Sequence, residues 1–340
     1  MLKDTVKALS SLYGISGREE SVREYIISQI EGTADYRVDN LGNLIVFKKG
    51  AKTPKNKVML DAHMDEVGMV ATYITSDGLI RFTTAGGINT KALIGKNVLV
   101  GEKKVNGVIG IVPIHLVDDG DRRKIPEKES LYVDIGASDA DEAGEYVKPG
   151  DAIYFDSDYV EFGDGFIKGR ALDDRVGCAI LLEMLKSDLP FDMYFSFSVQ
   201  EEVGTRGAAA SAFSVNPDYA VAVETTTASD IPGVEGEKQV CRLGGGAVVS
   251  FMDRGTVYNH ELFTRAFELA EEKNIKMQTK TMVAGGNNAA AIHKSAGGVK
   301  VLTVSVPCRY LHSPACVIKW EDVEESSRAV MALAEEFADA

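Results

Sequence analysis

From Gly165 onward the sequence alternates strand-length apolar runs with helix-length amphipathic ones, and this alternation constrains the fold most. DDRVGCAILLEMLKS, from Asp173, has apolar residues at helical spacing, and FDMYFSFSV, from Phe191, reads as a strand. GAAASAF is a short helix, and YAVAVE is a strand ending at Glu224. HELFTRAFELAEEKN, KMQTKT, NNAAAIHKSA and VKVLTVSV continue as helix, strand, helix, strand, before the terminal helix EDVEESSRAVMALAEEFAD. Strands separated by helices pair in parallel, because a parallel neighbour needs a crossover. The expected fold class is therefore α/β: a mixed, largely parallel sheet with helices on both faces.

The N-terminal part adds to the same unit. MLKDTVKALSSLYG carries Leu2, Val6, Leu9 and Tyr13 on one helical face. Ser16 followed by Glu19 has capping-box spacing and precedes the helical pattern SVREYIISQI. DNLGNLIVFKKG predicts a hairpin, and KVMLDAH a short strand leading into His63. From Gly68 the texture changes to short alternating runs divided by Gly, Asp and Lys turns, such as KNVLVGEKKVNGVIGIVP. That pattern predicts a small β-barrel. The expected organisation is a catalytic domain over 1–67 and 165–340, with an inserted β-rich domain over 68–164.

The bulk numbers narrow the partners. With 340 residues, 45% of them hydrophobic, the chain can bury one large core or two smaller ones. The formal charge of −14 argues against nucleic acid and anionic membrane as partners. None of Cys178, Cys241, Cys308 and Cys316 forms a C-x-x-C pair, so a zinc finger or thioredoxin-type site is not expected. Cys178 and Cys308 lie among apolar residues and read as packing thiols in a reducing compartment. No apolar stretch is long enough to span a bilayer, and the first residues lack a signal-peptide pattern. A cytoplasmic location is expected.

In open α/β sheets, sites gather beyond the carboxyl ends of the strands. After KVML come Asp61, His63 and Asp65. Asp173 and Asp174 open a helix. After FSFSV come Glu201 and Glu202, after YAVAV comes Glu224, and after VKVLTVSVP comes His312. Five distant segments thus bring carboxylate or imidazole to one edge, in a chain with only five histidines. Surface charge also collects at strand ends, so the set matters more than any member.

Imidazole and carboxylate without cysteine suit zinc, cobalt or manganese. His63, Asp173, Glu202, Glu224 and His312 are too many for one catalytic zinc with an open position. They suit two divalent ions sharing one carboxylate. One glutamate of the Glu201–Glu202 pair would be a ligand and the other a proton carrier. Asp65 would orient a ring nitrogen of His63 or the base. Asp174 reads as the helix cap, and Arg175 as a salt-bridge partner. His115, His260 and His293 read as structural or surface residues.

Other chemistries fit less well. RLGGGAVV lacks the Lys-Ser/Thr of a phosphate loop, and GTRGA has no serine at an elbow. A glycoside hydrolase would use two carboxylates around a sugar, but Trp320, the single tryptophan, lies far from any motif. A non-enzymatic assembly protein with a decayed site is the third reading.

SGREE, LDAHMDEVGMV, GRALDDRVG, VQEEVGTRGA, AVETTTASDIPG and RYLHSP, in this order and over nearly the whole chain, resemble the M42 family of metallo-aminopeptidases. The resemblance implies a zinc-peptidase fold of the phosphorylase/hydrolase-like type and release of N-terminal residues from short peptides. It implies two divalent ions per subunit, zinc or cobalt, or else manganese. His63 and Glu224 would hold one, Glu202 and His312 the other, and Asp173 would bridge them. Glu201 would be the catalytic base and Asp65 its partner. The inserted segment would mediate dimerisation within a twelve-subunit particle. Two positions depart from the pattern: Glu224 stands where the family usually has Asp, and Asn287-Asn288 where it usually has Thr-Asp. An S1 pocket for acidic residues would need a cation, for which Arg206 and Arg309 are candidates by position.

Overall fold

A computed structural model describes residues 1–118, 120 and 123–340. Helices α1 (Leu2–Ser11) and α2 (Glu20–Ile30) precede a hairpin of β1 (Asp35–Val38) and β2 (Leu44–Lys48), then β3 (Val58–His63). Strands β4 (Gly68–Ile74), β5 (Ile80–Ala85), β6 (Asn97–Val100), β7 (Val105–Gly110), β8 (Tyr132–Asp134) and β9 (Ala152–Phe155) come next, with α3 (Ala140–Gly144) before β9. Strands β10 (Val160–Phe162) and β11 (Phe166–Gly169) lead to α4 (Leu172–Lys186). The rest is β12 (Met193–Ser198), α5 (Arg206–Val215), β13 (Tyr219–Thr227), β14 (Ala247–Val249), α6 (His260–Lys273), β15 (Met277–Thr279), α7 (Ala289–Ile292), β16 (Lys300–Cys308), β17 (Cys316–Lys319) and α8 (Trp320–Asp339).

Eight strands form one sheet in the order β1-β2-β12-β3-β13-β16-β14-β15. Its centre, β12-β3-β13-β16, is parallel throughout. Helices α4 and α8 pack on one face, and α5 and α7 on the other. Val58, Met59 and Leu60 are fully buried between them, as a strand covered on both faces requires. Along α8, Val323, Val330, Leu333 and Phe337 form the buried stripe. The four central strands point one way, so their carboxyl ends meet at one edge.

Strands β4-β5-β8-β7-β6-β9 close into a barrel around Met69, Ile80, Val98, Val100, Ile109, Val133, Ile153 and Phe155. Closure leaves no free edge in a segment of short strands. Strands β10, β11 and β17 form a separate three-stranded sheet.

Three local expectations are corrected. Ser16 and Glu19 do not form a capping box: α2 starts at Glu20 without a side-chain cap. Ser16 instead donates to the buried Asp65, and Glu19, itself buried, accepts from the main chain of Gly17 and Gln200. Strand β13 does not stop at Glu224 but runs to Thr227, because β16 pairs with it throughout. NNAAAIHKSA forms only the single turn α7; Asn288 is turned inward to buried polar partners instead of continuing a helix face. The glycine-rich loop holds an internal anion: the N–H groups of Gly244 and Gly246 each donate to Asp322 at 2.7 Å.

Candidate metal centre

All seven predicted site residues converge at the carboxyl edge of the central strands. His63 ends β3, and Asp65 lies in the next turn. Register places Ser198 of β12 beside His63, so Glu201 and Glu202 lie just beyond it. Strand β12 ends at Ser198, three residues before Glu201. Gln200, with φ 56°, turns the chain there, and the N–H groups of Glu201 and Glu202 both donate to the Asp65 carboxylate, at 2.9 and 3.1 Å. Asp65 thus fixes the glutamate turn, and its carboxylate is itself held by Ser16 at 2.6 Å.

Asp173 and Asp174 open α4 in non-helical conformation, so the regular helix begins after them. Asp174 caps it, accepting from the Gly177 N–H at 3.0 Å. A Cβ at residue 177 would sit 2.3 Å from that carboxylate, which requires glycine. Arg175 is buried and donates to the carbonyls of Met64, Leu9, Leu12 and Gly14, with Glu66 at 3.4 Å, so it ties α1 to the sheet.

The two histidines are oriented alike. His63 Nδ1 lies 2.9 Å from the Asp65 carbonyl, and His312 Nδ1 lies 2.9 Å from the Gly87 carbonyl. A carbonyl only accepts, so each Nδ1 carries hydrogen and each Nε2 faces inward. His63 Nε2 lies 3.5 Å from Asp173 Oδ1 and 3.6 Å from Glu224 Oε2. His312 Nε2 lies 3.4 Å from Asp173 Oδ2 and 3.2 Å from Glu202 Oε2. The two oxygens of Asp173 therefore face different imidazoles. The Asp65 carboxylate is farther from His63 Nδ1, at 3.4 Å, than its own carbonyl.

These separations are longer than closed hydrogen bonds. Charge-assisted N–H···O bonds close to about 2.7–2.9 Å. Ligand atoms each about 2.0–2.1 Å from a tetrahedral zinc stand roughly 3.3 Å apart. The spacing matches the second case, and Glu202 Oε1 is buried with no hydrogen-bond partner. His63, Asp173 and Glu202 form one group of donors within 4.8 Å of one another, and His63, Asp174 and Glu224 another. Asp174 thus also comes within reach of an ion, although it was expected only to cap the helix.

Electrostatics agree with a set built for cations. Burial pushes Glu201 up to about 7 and Glu202 and Glu224 well above the ordinary carboxylate range. Burial also acts on Asp173, but hydrogen bonds from His312 and His63 outweigh it and hold the carboxyl low. Although burial opposes charge on His312, Asp173 and Glu202 raise it to about 10. The set retains protons that divalent cations would displace.

A cavity of about 480 Å³ opens beside these groups, lined by His63, Asp173, Glu201, Glu224 and His312. Glu201 faces it while Glu202 faces His312, so the adjacent glutamates differ in surroundings. Neither arginine proposed for the S1 pocket is available there. Arg309 is held in a two-pronged pair by Asp230, at 2.7 and 2.8 Å, and Arg206 lines a separate depression. The Gly87 carbonyl, from the segment after β5, was not foreseen, since a main-chain acceptor leaves no mark in a sequence.

The family model for M42 glutamyl aminopeptidase matches residues 42–328. The chain belongs to the M42 aminopeptidase family. It is thus a hydrolase of the exopeptidase class in a family of metallopeptidases. A relative described as a putative aminopeptidase of Acetivibrio thermocellus is 38% identical, over 96% of this chain and 97% of that protein. The glutamyl aminopeptidase of Lactococcus lactis is 32% identical, covering 98% and 95%. Among solved structures, the aminopeptidase APDkam598 of Desulfurococcus kamchatkensis superposes with TM-score 0.93 at 34% identity, covering 98% and 94%. The TET1 peptidase of Pyrococcus horikoshii, which can assemble into a tetrahedron or an octahedral shell, gives 0.85 at 35%, covering 98% and 99%. A Thermotoga maritima structure titled endoglucanase gives 0.80 at 38%, covering 97% and 96%. Among the described residues of this M42 chain, no helix is long and apolar enough to cross a membrane.

Proposed function

We propose that this M42 aminopeptidase binds two divalent ions, with His63 and Glu224 on one, Glu202 and His312 on the other, and Asp173 between them. The observation that carries this reading is the placement of the two Asp173 oxygens, each facing a different histidine Nε2 at ligand-to-ligand spacing. Zinc or cobalt suits the donor set, and manganese is the alternative. Such ions supply Lewis acidity toward the scissile carbonyl and lower the pKa of water.

The protein's own groups perform the remaining steps. Glu201, facing the cavity and pushed up to about 7 by burial, takes a proton from the attacking water. It returns that proton to the leaving amine nitrogen. A carboxylate facing the cavity can serve both transfers. Asp65 holds the Glu201–Glu202 turn through two main-chain N–H groups, and so sets where the base stands. The substrates are short peptides with a free N-terminus.

The assembly is proposed on the same footing. Segment 68–164 is the dimerisation domain, inserted in a catalytic domain of residues 1–67 and 165–340. Dimers build a twelve-subunit particle in the cytoplasm, with neither nucleic acid nor membrane as partner. The tetrahedral assembly named for the Pyrococcus horikoshii relative supports this.

Hydrolysis of aminoacyl-anilides by protein stripped with chelator and reloaded with zinc, cobalt or manganese tests the reading. Metal-dependent release of the N-terminal residue is expected. Chelator-insensitive activity on cellulose would favour the glycosidase reading instead. Intact assembly without bound metal or turnover would favour the decayed-site reading.

A further inference from the structure

The turn that carries Glu201 is gripped by a segment far away in sequence. Gln200 stands in left-handed backbone, at φ 56°. That region is disfavoured for a residue with a side chain, so surrounding contacts must hold it there. The carbonyls of Gln200 and Glu201 accept from the N–H groups of Gly204, Thr205 and Arg206, where α5 begins. The N–H groups of the turn point the other way, onto two carboxylates. Gln200 donates to Glu19 Oε1 at 3.1 Å, and Glu201 and Glu202 donate to the two oxygens of Asp65. Glu19 is 3% exposed and Asp65 fully buried.

Buried carboxylates need hydrogen bonds, and the connector between α1 and α2 supplies one to each. Ser16 Oγ donates to Asp65 Oδ2 at 2.6 Å, and the Gly17 N–H donates to Glu19 Oε1 at 2.8 Å. The connector is itself fixed. The Gly14 N–H donates to Glu66 Oε1 at 3.1 Å, and the Glu66 N–H donates to the Gly14 carbonyl at 3.0 Å. Glu66 follows Asp65 in sequence, so the connector and the Asp65 turn are tied at two points. Among the described residues that line the cavity, neither Ser16 nor Glu19 appears.

We propose that Ser16 and Glu19 are positioning residues for the Glu201 carboxylate, acting through Asp65 and the Gln200 main chain. The inference rests on the reading of Glu201 as the proton carrier. A base must stand within hydrogen-bond reach of the proton it takes.

The test measures kcat and KM on the best-cleaved aminoacyl-anilide, with saturating amounts of the metal that makes wild type most active. Ser16→Ala and Glu19→Ala should each lower kcat about tenfold to a hundredfold, the scale of a small misplacement, with KM and bound metal near wild type. Ser16→Thr keeps the hydroxyl and Glu19→Gln keeps a carbonyl acceptor, so both should recover most of that loss. Ser16→Ala and Glu201→Gln should be non-additive in kcat, because the first acts through the second. A full further loss in the double variant overturns the inference. Normal kcat in either folded alanine variant does the same, as does a kcat loss only in proportion to lost metal. Melting temperatures show which variants fold, and the Ser16 variants decide where Glu19→Ala does not. Turnover lost in Glu201→Gln but kept in Ser16→Ala defeats this inference alone. Normal kcat in Glu201→Gln defeats the base assignment and this inference with it. Failure to cleave any anilide with any metal defeats the peptidase reading as a whole.

Discussion

Asn288 donates its side-chain amide to Asp61 Oδ2 at 2.7 Å, and both residues are fully buried. The other N–H of that amide goes to Ser198 at 2.8 Å, and the Asn288 main chain reaches Glu224 at 3.4 Å. The Asn288 side chain is thus fixed by two donated hydrogen bonds. A carboxylate already stands at residue 61, and an aspartate at 288 would oppose it in a dry pocket. Asn288→Asp should cost about 3–5 kcal/mol at neutral pH, the range for an uncompensated buried charge. Asp61→Asn in the same chain should recover most of that loss. Denaturant unfolding of both singles and the double measures the coupling, and additive losses would rule the pairing out.

Glu201→Gln should lower kcat by about 10²–10⁴-fold, the usual contribution of a positioned proton carrier. The metal content should stay at the wild-type level, because Glu201 faces the cavity and is in neither group of donors brought within ligand reach. Normal kcat with intact metal would remove Glu201 as the base. Lost metal would make it a ligand instead.

Much of this site was legible because strand ends in α/β sheets collect chemistry. His63, Glu201, Glu202, Glu224 and His312 each stand at or shortly after the end of an apolar run, and the runs themselves mark the strands. The hidden features were mostly main-chain or reciprocal. The Gly87 carbonyl that orients His312 comes from the segment after β5 and carries no side-chain signal. Ser16 looked like a helix cap because capping spacing is local, whereas its partner Asp65 is 49 residues away. For the cation at the cavity wall, the motifs pointed to nearby arginines. Lys280 follows β15 and lines the cavity because β14 and β15 extend the sheet beyond β16.

His312→Ala should reduce bound metal to about half. His312 Nε2 is near Asp173 Oδ2 and Glu202 Oε2 and only partly buried, whereas His63 is buried beside Asp173 Oδ1 and Glu224. Loss of one imidazole leaves the other set of donors complete. Elemental analysis of the purified variant gives the stoichiometry. Two ions per chain would take His312 out of the coordination sphere, and none would mean that the sites fill only together.

Asp322 gives a pH test away from the metal. It is fully buried at the start of α8 and accepts the N–H groups of Gly244 and Gly246, yet burial still raises it from 3.8 to about 6. A carboxyl raised on folding binds its proton more tightly in the folded state than in the unfolded one. Its contribution to stability is therefore largest below the unfolded value and falls as pH rises from about 4 to about 6. The two-unit rise corresponds to a decline on the order of 3 kcal/mol. Asp61, pushed up to about 6, and Glu19, pushed up to about 7, decline over overlapping ranges, so the comparison must be with Asp322→Asn. That variant lacks the titration. Its unfolding free energy, measured in chelator, should fall less steeply between pH 4 and 6 than that of wild type. Its level should also be lower by about 1–2 kcal/mol, because a neutral amide oxygen replaces a charged acceptor for two N–H groups. Parallel pH profiles for the two proteins would show that the glycine-loop carboxylate titrates at its ordinary value.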